Sequence, residues 1–195
     1  MKPITFPALI ALSLSVSPSR AEPLLGDHAL ELWSIKGPEV CWTIKEGVLT
    51  GANDPEKKGS TIWTKKSYTN FTLTGEFRFS GKIDSGVFIR HEGDQIQIGV
   101  SSSLQRDMTG SPYISKLGKY PVEAKNVAER LKEGEWNFFT ITAIGNHYTV
   151  ELNGKQILDY RSDTAVKQGP IGLQVHGGIE MEIQFRDLDV EEMAD

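Results

Sequence analysis

Apolar and polar residues alternate with a period of two along most of the chain, the pattern of strands that bury one face and wet the other. Between residues 71 and 80, Phe71, Leu73, Phe77 and Phe79 share a face with Gly75, opposite Thr72, Thr74, Glu76, Arg78 and Ser80. The run 84–90 sets Val87 and Ile89 against Phe88 and Arg90, and the run 93–100 sets Ile96, Ile98 and Val100 against Gln95 and Gln97. The alternation returns at Phe139, Ile141 and Ala143, at Tyr148, Val150 and Leu152, at Ile171, Leu173 and Val175, and at Met181, Ile183 and Phe185. Turn dipeptides separate these runs: Glu46-Gly47, Gly145-Asn146 and Asn153-Gly154, the last being the strongest short hairpin signal. From 101 to 134 the periodicity fades into a long loop. Within it Ala124, Val127, Ala128 and Leu131 keep helical spacing up to Gly134, which predicts at most one short helix.

Roughly ten to twelve short strands with one face each to bury predict an all-β protein, a two-sheet antiparallel β-sandwich. Phe71, Phe77, Val87, Ile89, Ile96, Ile98, Ile141, Val150, Leu173 and Val175 are the expected filling between the sheets. No repeat of fixed period suggests a propeller or solenoid.

The N-terminus changes the picture of where the protein works. Lys2 precedes an apolar run from Ile4 to Val16, and the small residues Ser19 and Ala21 suit cleavage after Ala21. Residues 1–21 are therefore expected to be a signal peptide and 22–195 a single domain, exported to a periplasmic or extracellular compartment. The apolar run is too short to span a bilayer, and no other stretch is long enough, so a membrane-spanning form is not expected. Cys41 is the single cysteine, which leaves no intrachain disulfide. With 26 acidic and 21 scattered basic residues, the net charge of −5 disfavours nucleic acid as a partner and leaves a neutral or polar ligand.

Candidate chemistry gathers on the polar faces. Phe88 beside Arg90, Gln95 and Gln97 offers a ring for stacking and donors for a polyhydroxylated ligand, although the wetted side of an ordinary sheet carries the same pattern. Gln174 and His176 lie opposite the core residues of their strand, and His176 precedes Gly177-Gly178. The histidines His28, His91, His147 and His176 have no metal-site spacing, and no cofactor is identifiable. Glu76 neighbours Arg78, and Glu92 and Asp94 fall in or beside a turn where acids are ordinarily solvated. No acidic pair stands out for a two-carboxylate glycosidase. Trp33, Trp42, Trp63 and Trp136 read as core aromatics.

Several stretches carry a family resemblance: 42–49, 62–66 with Tyr68 and Phe71, Glu76 and Arg78, 85–90, Gln97-Ile98, Thr109-Gly110 with Tyr113, 134–137, 152–154, 169–174 with His176-Gly177, and Phe185-Arg186. In that order the chain resembles the 3-keto-disaccharide hydrolase domain, which has the concanavalin A-like lectin/glucanase jelly roll. The resemblance implies cleavage of a C3-oxidised sugar, whose C2 hydrogen is acidified by the adjacent ketone so that one base starts elimination of the glycosidic oxygen and hydration follows. On that reading His176 is the base and Arg90 the enolate stabiliser, and Phe88, Gln95, Gln97, Glu76, Tyr113, Lys116 and Gln174 bind the saccharide, Tyr113 and Lys116 closing over it from the long loop. Where the family runs Gly-x-Glu-x-Gln-Ile-x-Asp, this chain has Gln95 and Val100 in place of the acids. A glutamine bonds a hydroxyl but does not exchange a proton near neutral pH. A non-catalytic carbohydrate-binding domain on the same sandwich therefore stands as the alternative.

Overall fold

The structure is a computed structural model that describes residues 20–26 and 29–193. The apolar run from Ile4 to Val16, expected to form the export signal, lies outside the described residues. No described helix is long and apolar enough to cross a membrane.

Fifteen strands follow one another among the described residues: β1 (Glu22–Pro23), β2 (Trp33–Lys36), β3 (Trp42–Lys45), β4 (Val48–Ala52), β5 (Ser60–Thr64), β6 (Asn70–Phe79), β7 (Asp84–Ile89), β8 (Asp94–Ser101), β9 (Arg106–Asp107), β10 (Pro112–Ile114), β11 (Asn137–Ile144), β12 (His147–Leu152), β13 (Lys155–Arg161), β14 (Ile171–Val175) and β15 (Glu182–Met193). They form two antiparallel sheets. One has eight strands in the order β13-β12-β11-β6-β15-β4-β3, with β1 on β15, and the other seven in the order β10-β8-β7-β14-β5-β2, with β9 on β8.

The inner faces interdigitate as the alternation demands. All ten expected filling residues are buried, and they join Leu49, Ile62, Leu73, Ile183 and Phe185 in one continuous core. Trp33 and Trp42 belong to it too, and their indole N–H groups are satisfied by the Leu24 carbonyl at 3.0 Å and the Ser60 hydroxyl at 3.0 Å. Hairpins close where the turn dipeptides stand: Asn153 and Gly154 take φ of 49° and 75° between β12 and β13.

The expected short helix does not form. Asn126 takes φ 58°, which interrupts a right-handed helix, and a single turn remains in which Leu131 N–H donates to the Val127 carbonyl. Ala124, Val127 and Leu131 nevertheless pack against the core, and Gly134 donates to Phe79 instead of capping a helix.

Candidate functional site

The outer face of the seven-stranded sheet carries two rows of side chains set by strand register. One row runs Tyr113, Gln95, Phe88, Gly172, Trp63 and Ser34 across β10, β8, β7, β14, β5 and β2. The next carries Gln97 and Gly86 on one side and Gln174, Thr61 and Lys36 on the other. Two glycines make room for the others. A Cβ on Gly172 would sit 2.6 Å from the Trp63 ring, and one on Gly86 would sit 2.4 Å from Gln95 Nε2. Trp63 therefore lies over Gly172 and stacks on Phe88, ring centroids 5.1 Å apart at 19°.

These rows floor a cleft of about 520 Å³ walled by Phe88, Gln95, Tyr113, Gln174, His176 and Thr61, among others. A side hollow of about 190 Å³ adds Asp84, Gln97 and Tyr120. The long loop returns across this face: β10 pairs with β8, Tyr113 and Tyr120 pack edge against ring 5.2 Å apart, and the Tyr120 hydroxyl donates to Gln97 Oε1 at 3.1 Å.

The polar groups hold one another in order. Gln95 Nε2 donates to Gln174 Oε1 at 2.6 Å, which leaves the Gln174 amide nitrogen without a partner among the described residues. Gln97 Nε2 donates to Asp84 Oδ1 at 2.7 Å, and the Ser102 N–H donates to Asp84 Oδ2 at 2.8 Å. Asp84 thus accepts at both oxygens and holds the Gln97 amide in place. His176 stands at the end of β14, its carbonyl held by Asn53 Nδ2 at 2.8 Å. Its Nδ1 lies 2.7 Å from the Gly177 carbonyl, which can only accept. In the neutral ring the proton therefore sits on Nδ1 and the lone pair on Nε2. Gly177 is small because its backbone meets that of Gly59, where a Cβ would lie 2.9 Å from the Gly59 nitrogen.

Of the nine expected site residues, Phe88, Gln95, Gln97, Tyr113, Gln174 and His176 come together here. Three do not. Arg90 leaves the sheet's alternation: β7 ends at Ile89, Arg90 takes φ 64°, and the side chain turns inward to 2% exposure. There its guanidinium donates to the carbonyls of Ala143 (2.9 Å), Gly145 (2.5 Å) and Val166 (3.2 Å) and lies over the Phe71 ring. Burial lowers its pKa, with Tyr148 and Asp94 opposing the fall. Arg90 thus ties the end of the sandwich together and is not an enolate stabiliser in this cleft. Glu76 belongs to β6 in the other sheet and pairs with Arg186 at 2.5 Å on that sheet's outer face. Strand parity gives the face of a strand but not the sheet it joins. Lys116 is exposed on the turn Ser115–Leu117, and Ser115, not Lys116, walls the cleft.

Other expectations shift as well. Asp94 is not solvated but fully buried, accepting from the hydroxyls of Tyr148 (2.9 Å), Ser162 (2.5 Å) and Thr164 (2.5 Å). Trp136 is not core: it lies on the outer face of the eight-stranded sheet between the guanidiniums of Arg78 and Arg186, 4.6 and 4.3 Å from its ring centroid. Trp63 is buried outside the inter-sheet core, on the outer face of the seven-stranded sheet. Asp84, Thr61 and Trp63 were open to the same parity argument, since Val87 and Ile62 point inward. No cluster of histidine, cysteine and acidic groups suited to a metal ion occurs among the described residues.

Comparison with known proteins places this geometry. A model of the 3-keto-alpha-glucoside-1,2-lyase-like domain matches residues 20–191. Among solved structures, a candidate glycosyl hydrolase from Parabacteroides distasonis ATCC 8503 is 24% identical with TM-score 0.69, covering 89% of this chain and all of the other. The carbohydrate-binding module CBM66 of Bacillus subtilis is 16% identical with TM-score 0.58, covering 83% of this chain and 96% of its own. The lumenal domain of VIP36, solved with Ca2+ and Man3GlcNAc, is 10% identical with TM-score 0.65, covering 90% and 91%. At these identities the likeness establishes the shared sandwich, concanavalin- and galectin-like, and nothing finer. No curated protein sequence matches the chain.

Proposed function

Because the chain belongs to the 3-keto-alpha-glucoside-1,2-lyase-like family, we propose that its carbohydrate-related function is cleavage of the glycosidic bond of a C3-oxidised sugar in this cleft. The observation that carries the reading is the free Nε2 of His176, in a tautomer fixed by the Gly177 carbonyl, within a cleft walled by sugar-bonding amides. Nε2 takes the C2 proton, the electron pair forms the C1–C2 double bond, and the C1–O bond breaks. The aglycone oxygen then leaves with that proton, and water adds across the double bond to complete hydrolysis. Charge developing on the C3 oxygen needs a donor, and with Arg90 elsewhere the Gln174 amide nitrogen and the Lys36 ammonium are the groups of this cleft that meet the need. Phe88 supplies an apolar patch of wall for the sugar ring, and Gln95 and Tyr113 bond its hydroxyls.

The deciding experiment measures turnover and binding of a 3-keto-glucoside beside its unoxidised parent. The expected outcome is release of aglycone from the keto sugar alone, abolished in His176→Ala with binding largely retained. Undiminished turnover in that variant would remove His176 from the chemistry. The second reading, a non-catalytic saccharide-binding domain, is favoured by the Gln95–Gln174 amide pair, which bonds hydroxyls but exchanges no proton. Binding of both sugars with turnover of neither would establish it. Export completes the proposal, carried by the run from Ile4 to Val16 and by Ala21. An intact mass beginning at Glu22 in the exported protein is its check.

A further inference from the structure

The Phe88–Trp63 stack has a hollow on each side. Phe88 walls the cleft described above, whereas Trp63 walls a second and larger hollow of about 800 Å³, together with Ser34, Thr64, Lys65, Ser67 and His91. Lys36 and Glu92 border both, joined by an ion pair of 2.6 Å that marks the shared rim. The two hollows are thus neighbouring compartments of one face, each provided with an aromatic wall, the provision a saccharide of two or more units needs.

Their charges differ. Glu92, the acid of the second hollow, is already held by Lys36. Lys65 makes no ion pair among the described residues, while its neighbour Lys66, outside the hollow, is matched by Glu22 at 2.7 Å and Glu192 at 2.8 Å. In a chain of net charge −5, an ammonium left unmatched beside a tryptophan, with the Ser67 hydroxyl at hand, is a site for a carboxylate on a ring.

We propose that the second hollow is a subsite for an anionic sugar residue, a uronic acid, of an oligosaccharide whose neighbouring unit occupies the first cleft. The inference rests on the saccharide reading of that cleft. Trp63 meets the uronate ring with the part of its indole that lines the hollow, Lys65 takes the carboxylate, and the Lys36–Glu92 pair spans the junction between the units.

Calorimetric titration of the wild-type chain and of Lys65→Glu tests it, with α- and β-linked glucose tetrasaccharides, each neutral or oxidised at C6 of one terminal residue to the uronate. A methyl 3-keto-glucoside, too small to reach the second hollow, reports on the first cleft. The expected result is about fivefold tighter binding of a uronate form than of its neutral counterpart at low salt, in the range of a single exposed ion pair. That preference should fade at high salt and vanish in Lys65→Glu, with the neutral forms and the keto-glucoside bound as before. Equal affinity of both forms for the wild type, or a preference that survives in Lys65→Glu, overturns the subsite. Binding of the keto-glucoside would then leave the first-cleft reading intact, whereas no binding of any probe overturns both.

Discussion

Gln95 and Gln174 meet across β7 through a 2.6 Å hydrogen bond, and they can do so because Gly86 beneath them has no side chain. A Cβ there would lie 2.4 Å from Gln95 Nε2 and 2.6 Å from the Ile96 carbonyl oxygen. The amide end can swing aside, but the backbone carbonyl cannot. Gly86→Ala should therefore cost about 1–3 kcal/mol of stability as overpacking and weaken saccharide binding by parting the two amides. Denaturant midpoints and titration with the same sugar measure both. A variant as stable as wild type, with full affinity, would show that the glutamine pair is not held in this way.

Arg90 makes the opposite case, a residue whose charge looks available and is not. Three backbone carbonyls take its guanidinium at the closed end of the sandwich, and Arg90→Ala would remove all three bonds, the one to Ala143 fully buried, and empty the space of a side chain only 2% exposed. A loss of about 2–5 kcal/mol is expected. Arg90→Lys should recover little, because one ammonium does not reproduce a fork that reaches three acceptors. Urea unfolding decides the matter, and a loss under 1 kcal/mol for the alanine variant would contradict this placement.

The contrast between these residues shows what the sequence carries. Alternation around Val87, Ile96 and Leu173 is enough to put Phe88, Gln95 and Gln174 on one wall, because the period of a strand dictates the face of every side chain. It fails at Arg90, where one left-handed φ reverses the direction, and no local signal marks an arginine for that conformation. It fails differently at Glu76, since the pairing of β6 with β11 and β15 is decided by contacts far apart in the chain. Trp63 was within reach: Ile62 points inward, so its neighbour points to the outer face of the sheet, and only the general tendency of tryptophan to be core argued otherwise.

Alkaline pH should unfold the protein through its buried tyrosines. Burial pushes the Tyr68 hydroxyl up from 10.0 to about 12, and burial together with Asp94 raises Tyr148 as well. Below about pH 10 both are neutral folded or unfolded, and stability is unaffected. Above it the unfolded chain releases protons that the folded chain keeps, so stability falls by about 1.4 kcal/mol per pH unit for each tyrosine until the folded value is passed. Urea titrations at pH 9, 10 and 11 should show the decline, and Tyr68→Phe should remove one tyrosine's share of the slope. An unchanged slope in that variant would mean that Tyr68 ionises as readily folded as unfolded.

Asp84 separates two chemistries that a sugar-cleaving sandwich could use. A glycosidase with paired carboxylates needs a proton donor and a second acid, and the acids bordering this face are Asp84 and Glu92. Both are engaged: Glu92 by Lys36, and Asp84 by Gln97 and the Ser102 N–H. Under the one-base mechanism Asp84 serves only to position Gln97, and an amide can take over that work. In Asp84→Asn the new carbonyl accepts from Ser102 while the new NH2 donates to a flipped Gln97, whose own nitrogen then donates to the Tyr120 hydroxyl oxygen. Turnover of a 3-keto-glucoside should therefore stay within about threefold of wild type, well short of the 10²–10⁴ lost with a general acid or base. Asp84→Ala has no such remedy. It strands two donors and should cost about 1–3 kcal/mol of stability along with part of the sugar affinity. Rates for both variants beside His176→Ala make the distinction: loss of turnover in Asp84→Asn with the fold intact would make the carboxylate a participant and end the single-base account.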